Sequence, residues 1–322
     1  MTFRNLGRLA LAFLFLPAIA ACSSTSTTSQ PPPPDPRVWL ANVGTSTTDG
    51  SLQGLNFYPS AMTIDAGDSV SWTIMSTNPH TISLFPAGQG PQPGPPDLAP
   101  HGGSTYDGTS LTSSGLVIKG TVYRLTFTKP GTYTVYCLIH GPEMVGTITV
   151  QAAGSAYPTT QGDYQVQGAA SATSDIANAA SSILQFPFAS GGTQVAAGIA
   201  PGLVTGPPSH STVLRFINSP SAASSTVTVP VGGTVTWYNL SNNEPHTVTF
   251  GIAGQPFPSL NPFGPPMGGP TYDGTAITSS GVMPPVPGIN TYSLRFTKAG
   301  TYQYRCLIHD DDSGMIGTVI VQ

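Results

Sequence analysis

The sequence predicts an all-β protein built as two tandem Greek-key β-sandwich domains. Three observations carry this reading: short runs in which apolar and polar residues alternate, turn residues between those runs, and a duplication of the whole pattern along the chain. In the first copy Val70, Trp72 and Ile74 point one way while Ser69, Ser71 and Thr73 point the other; in the second, Val235 and Trp237 alternate with Thr234 and Thr236. A period of two is what a sheet with one buried face requires. Leu125 and Phe127 repeat the pattern, as do Leu294 and Phe296. Turns fall at Ala66-Gly67-Asp68, Pro130-Gly131, Val231-Gly232-Gly233 and Ala299-Gly300. Many short strands at this spacing imply a Greek-key sandwich or barrel.

The bulk numbers agree. With 322 residues the chain is long enough for two ordinary domains and too short for many more. It holds 37 Gly and 33 Pro, as a turn-rich fold does. Only 7% of residues are charged, the net charge is −4, and ten Lys and Arg are spread over the whole length, so there is no basic face for nucleic acid. Val, Ile, Thr, Tyr and Phe cluster in short runs, which confines a disordered reading to the linkers.

The duplication is direct. Asn78-Pro79-His80-Thr81-Ile82 matches Glu244-Pro245-His246-Thr247-Val248, and Thr105-Tyr106-Asp107-Gly108-Thr109 matches Thr271-Tyr272-Asp273-Gly274-Thr275. The strongest match is Gly131-Thr132-Tyr133 through Cys137-Leu138-Ile139-His140 against Gly300-Thr301-Tyr302 through Cys306-Leu307-Ile308-His309. Length differences fall near Pro284 to Pro287 and between the last histidine and the methionine, in loops, where a duplicated β domain tolerates them. The expected organisation is domain 1 over 37–151, a connector over 152–192 and domain 2 over 193–322. In the connector, the alanine content of Ser174 to Leu184, with Ile176, Ala180 and Leu184 at helical spacing, predicts a short helix.

Residues 1–22 read as an export signal. Arg4 and Arg8 precede the apolar run Leu9 to Leu16, which is too short to span a bilayer. Ile19-Ala20-Ala21-Cys22 resembles a bacterial lipobox, which implies lipidation of Cys22 and a membrane-anchored protein facing the periplasm or cell exterior. Residues 23–36, rich in Ser, Thr and Pro, form a tether.

With Cys22 assigned to lipid, each of the other two cysteines sits in C-x-x-H shortly before a methionine: Cys137, His140 and Met144, then Cys306, His309 and Met315. Each set has an upstream Pro-His, at His80 and His246, separated from its cysteine by 57 and 60 residues. One thiolate and two imidazoles form a trigonal set that suits both copper oxidation states, and a weak axial methionine tunes the potential. Structural zinc takes more thiolates than one copy offers. Covalent haem needs C-x-x-C-H, which is absent. A Cys–His nucleophile does not explain a duplicated four-residue set, and a Cys137–Cys306 disulfide would require the two equivalent positions to touch. The prediction is two copper ions per chain.

Both halves resemble the plastocyanin/azurin family of cupredoxins, most plainly in Gly131-Thr132-Tyr133-Thr134-Val135-Tyr136-Cys137 followed by His140, Met144, Val145 and Gly146, and in the second copy through Met315-Ile316-Gly317. The resemblance implies two cupredoxin-like domains, one type 1 copper in each, electron-carrier activity with redox-protein partners, and the ligands His80, Cys137, His140 and Met144, then His246, Cys306, His309 and Met315. Two departures stand out. Three residues separate loop histidine and methionine in the first copy and five in the second, on either side of the family pattern. The residue before the cysteine is Tyr136 in one and Arg305 in the other, and a positive charge there favours the reduced site and raises its potential.

Two-domain cupredoxins also include nitrite reductases and small laccases, which need further histidines for a second kind of copper centre. This chain has six histidines and no His-x-His, and only His101 and His210 remain unassigned. A third centre would therefore need ligands shared between subunits or the help of a carboxylate. Copper storage or delivery, the other alternative, favours flexible methionine-rich segments, and there are seven Met in all. The loop histidines His140 and His309 are expected nearest the surface, with Leu138-Ile139 and Leu307-Ile308 as docking patches and Asp310 to Asp312 steering a cationic partner.

Overall fold

The computed structural model describes residues 35–322 apart from 142–143, 204–208, 222–224 and 243; the expected signal segment, Cys22 and most of the expected tether lie outside the described residues. Strand Val38–Ser46 runs parallel to Ser69–Ile74 and antiparallel to Leu52–Tyr58. Its counterpart Gln194–Ile199 runs parallel to Thr234–Leu240 and antiparallel to Ser211–Ile217. Each group is extended by a longer strand, Val122–Phe127 or Thr291–Phe296, and by a two-residue strand, Thr105–Tyr106 or Thr271–Tyr272.

The two groups are not separate sheets. Leu52–Tyr58 pairs antiparallel with Ser211–Ile217, placing Ser211 opposite Gly54 and Val213 opposite Leu52, so one sheet of ten strands runs through both halves. The facing sheets stay separate: six strands in the first half, around Gly131–Tyr136 and Val145–Gln151, and five in the second, around Gly300–Arg305 and Ile316–Val321. The protein is all-β with a single long helix among the described residues.

Each sandwich closes on its own aromatic core. Trp72 meets Phe127 edge-on in the first; Trp237 meets Phe250 and Tyr304 in the second. Val70, Trp72, Ile74, Val235 and Trp237 are buried, as the alternation requires. The alternation fails in the junction strands, where nearly every residue of Leu52–Tyr58 and Ser211–Ile217 is buried. These strands are covered on both faces.

The cover is the connector. Its helix spans Gln161–Ser182, far longer than the predicted Ser174 to Leu184, and opens on a capping box between Thr160 and Asp163. It packs on Leu52–Tyr58, Val38–Ser46 and Ser211–Ile217. Its buried positions are Tyr164, Gly168, Asp175, Ala179 and Ser182, whereas Leu184 and Ala180 are exposed. The predicted face was wrong because a buried face of small and polar residues has no apolar periodicity to read. Polar contacts hold it instead: Tyr58 donates to Asp175 at 2.6 Å, and the Thr63 amide donates to Tyr164 at 2.7 Å. Among the described residues no helix is long and apolar enough to cross a membrane.

Candidate metal centres

Three chain segments build each site. The upstream histidine follows the turn after Ser69–Ile74 or Thr234–Leu240 and is pinned by a two-way backbone bridge, His80 with Val117 and His246 with Met283. The cysteine ends Gly131–Tyr136 or Gly300–Arg305, and the loop returns so that the Cys137 amide donates to the Met144 carbonyl, and that of Cys306 to Met315, both at 3.0 Å. Two adjacent antiparallel strands thus fix cysteine and methionine, and the loop between them carries the second histidine. The two extra residues of the second loop form a short helical turn, Asp310–Ser313, closed by Gly314 in the left-handed region at φ 60°.

The donors converge. In the first half Sγ of Cys137 lies 3.6 Å from Nδ1 of His80 and 3.3 Å from Nδ1 of His140; in the second, Sγ of Cys306 lies 3.7 Å from Nδ1 of His246 and 3.5 Å from Nδ1 of His309. Within each triplet all ligand atoms lie within 4.8 Å of one another. All six residues are buried, as are Met144 and Met315, and both cysteines are free thiols, which removes the disulfide alternative.

The surrounding groups hold the donors in this orientation. Nε2 of His80 lies 2.6 Å from Oγ of Ser76, so Nδ1 faces the sulfur. The Thr81 amide donates to Cys137 Sγ at 3.5 Å and the Thr247 amide to Cys306 Sγ at 3.4 Å. The same threonines accept from the Leu138 and Leu307 amides at 2.8 Å, tying the ligand loop to the upstream histidine. Behind each upstream imidazole is a glycine with positive φ at a register shift in the strand, Gly44 at 63° and Gly198 at 72°. A Cβ on Gly44 would meet Ser76 Oγ and His80 Nε2; one on Gly198 would meet His246 Nε2. Only glycine combines that conformation with that approach.

One residue belongs to both sites. Glu244, buried, lies with Oε1 3.2 Å from Nε2 of His140 and Oε2 3.7 Å from Nε2 of His309. It also accepts from Asn78 Nδ2 at 2.9 Å, the residue at its own position in the other copy. The loop histidines therefore do not reach the surface: they turn toward each other across the junction, and their expected role as exposed contacts is corrected by their burial at 4% and 2%. Ile139 and Ile308 are half-buried against the cores rather than forming open patches.

The electrostatics of the two sites are unequal. Burial pushes the Cys137 thiol up, but the His140 charge and the hydrogen bonds from His140 and His80 outweigh it and hold the thiol well below its ordinary range. Burial likewise works against a charged His140, yet Cys137 and Glu244 raise it to about 10. In the second half burial prevails: Cys306 rises to about 11 and His309 falls to about 4, the latter despite Glu244 and with His140 adding to the fall. Glu244 lies closer to His140 than to His309, 3.2 against 3.7 Å, and adds to the charge that Cys137 already favours on His140.

A soft thiolate, two neutral-capable imidazoles with Nδ1 turned inward, and a buried thioether nearby suit copper, and the chain offers that set twice. His101 and His210 join neither set among the described residues. His101 pairs with Asp97 at 2.8 Å at the surface, and His210 lies 3.3 Å from the Leu55 carbonyl at the strand junction. Sequence reasoning missed the supporting groups Ser76, Thr81, Thr247 and Glu244. The threonines lie inside the duplicated Pro-His-Thr motif, which was their signal; Glu244 stood out only as a charge where the other copy has Asn78.

A model of copper binding proteins of the plastocyanin/azurin family matches residues 43–151. Plastocyanin from Prochlorothrix hollandica is 36% identical over 97 residues, covering 30% of this chain and 63% of that protein. Plastocyanin from Dryopteris crassirhizoma is 33% identical over 98 residues, covering 30% of this chain and 87% of that protein. The chain thus spans less than two thirds of the first of these relatives and most of the second. Among solved structures, a purple cupredoxin from Nitrosopumilus maritimus is 20% identical with a TM-score of 0.25, covering 35% of this chain and 99% of that one. A reduced amicyanin mutant is 23% identical with a TM-score of 0.24, covering 35% and 82%.

Proposed function

The chain belongs to the plastocyanin/azurin family of copper-binding proteins, and from that premise we propose that it is an exported electron carrier with one type 1 copper site in each sandwich. The observation that carries the reading is the convergence, twice, of a buried cysteine sulfur and two inward-facing Nδ1 atoms on a strand-and-loop frame. Bound there, copper supplies a one-electron Cu(I)/Cu(II) couple. The protein's part is to keep the ligand positions the same in both states. Backbone bridges fix the upstream histidines, Thr81 and Thr247 tie down the loops, and burial excludes water from the thiolates. Met144 and Met315, both buried, would hold the copper weakly through their thioethers and tune its potential.

Metal analysis and visible spectroscopy test this directly. Two coppers per chain, intense thiolate-to-copper absorption and reversible one-electron reduction are expected. A third copper, or turnover of nitrite or phenols, overturns the carrier in favour of an oxidoreductase.

Lipidated Cys22 and the tether of residues 23–36 hold the carrier at a membrane surface facing the periplasm or cell exterior, where redox proteins deliver and remove electrons. Cys22→Ser is expected to move the protein from the membrane fraction to the soluble one, and a mass spectrum without a diacylglyceryl group on wild-type Cys22 would sink the anchor.

A further inference from the structure

A buried carboxylate is costly unless it is paired, by several kcal/mol on the general scale of ion desolvation. The equivalent position in the first copy holds neutral Asn78, so the fold itself does not demand an acid there. What the acid does at 244 is visible in its contacts. One carboxylate oxygen reaches a ligand histidine of the first site, at 3.2 Å, and the other reaches a ligand histidine of the second, at 3.7 Å. Its backbone is fixed, because the Glu244 carbonyl accepts from Asn239 Nδ2 at 2.8 Å and Ser241 Oγ at 2.7 Å. The side chain is steadied by Asn78. No other residue touches a ligand of each site through a side-chain hydrogen bond or ion pair among the described residues.

Electron tunnelling decays far less steeply along covalent bonds and short polar contacts than through space. From one thiolate–imidazole set to the other, the path through the His140 ring, the Glu244 carboxylate and the His309 ring crosses only two non-covalent gaps, and it runs through groups held without water. Resting on the copper-carrier reading above, we infer that Glu244 joins the two ligand sets into one electron-exchange unit: an electron taken up at either set passes to the other inside the chain. The reduced set loses one electron and the oxidised set gains it; no bond is made or broken, no proton leaves, and no outside oxidant or reductant takes part. Either set can then serve as entry or exit, with Glu244 as the positioning residue between them.

The test uses the full copper-loaded chain, with copper content and visible spectrum recorded for each protein. A pulse of a small radical reductant, such as the carbon dioxide radical anion, reduces a fraction of sites, and absorbance follows their re-equilibration. Wild type is expected to show a phase whose rate does not change with protein concentration. Glu244→Leu, which removes both contacts, is expected to slow that phase at least tenfold. Glu244→Gln, which keeps one acceptor oxygen, is expected to fall between. A second measurement needs no variant of Glu244: the paramagnetic resonance spectrum of the doubly oxidised wild type should show a magnetic interaction that is absent from Cys137→Ser and Cys306→Ser. Two coppers with no concentration-independent phase, or the same rate in all three proteins, or no magnetic interaction, overturns the inference and leaves the carrier standing. A wild type that binds no copper overturns both.

Discussion

Behind the upstream imidazole of the first sandwich stands Ser76, 2.6 Å from His80 Nε2; behind that of the second, His246 Nε2 has no hydrogen-bond partner among the described residues, and Asn242, at the position of Ser76, donates to the Pro201 carbonyl. The thiolate of the first follows Tyr136 and that of the second follows Arg305, whose guanidinium lies over Phe257 and 3.6 Å from Asp310. The metal donors and the threonine ties are the same in both. Duplication has kept the atoms that would touch the metal and the groups that hold the cysteine loop, and has released those that hold the upstream histidine and set the local charge. Two sites with one ligand set are thereby free to differ in affinity and potential.

The largest expected break in this comparison is removal of a thiolate. Cys137→Ser and Cys306→Ser should each lose one copper per chain and leave the other, read by metal analysis; loss of both from either variant shows that the sites do not load independently. Gly44→Ala and Gly198→Ala come next. Each places a Cβ against its own histidine at a positive φ, so each should destabilise the fold by about 1–3 kcal/mol and weaken copper at its own site only, followed by thermal melting with and without metal. Ser76→Ala should make the first site resemble the second, lowering its copper affinity about 10- to 100-fold while the second site stays unchanged in competition titrations. Arg305→Gln should lower the second site's potential, making its reduction less favourable by on the order of 1 kcal/mol, because Asp310 offsets part of the charge; an unchanged or higher potential in a redox titration rejects that role. The smallest effect is expected at the inter-half pair of Asp49 and Arg215, 2.6 Å apart with Asp49 largely exposed. Hydrogen bonds from Thr47 and Ser51, with Arg215, hold the Asp49 carboxyl well below the usual range despite partial burial. Because its folded pKa is lowered, its contribution is present above roughly pH 4 and fades as the pH falls below that. Asp49→Asn should cost under about 1 kcal/mol at neutral pH and nothing in strong acid.

Much of this could be read from local pattern. Val70, Trp72 and Ile74 announced a strand because period two is written in consecutive residues, and Cys137, His140 and Met144 lie close enough in sequence to name a set. What local pattern could not carry was the meeting of the halves. The pairing of Gly54 with Ser211, and the approach of Glu244 to His140, join residues distant in sequence whose types are unremarkable one by one. The loop histidines were expected outside because nothing in the residues around Cys137 or Cys306 tells that the other half covers them. The connector helix was placed on the wrong face because its contacts run through Tyr164, Gly168 and Asp175 rather than through an apolar stripe.

The ten-stranded sheet has a further consequence, for life in a crowded compartment. A sandwich that ended at Leu52–Tyr58 or at Ser211–Ile217 would offer a seven-residue strand with unpaired amides, an invitation to any extended chain nearby. Here each of those strands occupies the other, and the margins of the sheet are Thr105–Tyr106 and Thr271–Tyr272, two residues each. Joining the halves has turned part of two adhesive borders into an interior seam, Leu52 to Gly54 against Ser211 to Val213, and withdraws those amides from any passing chain.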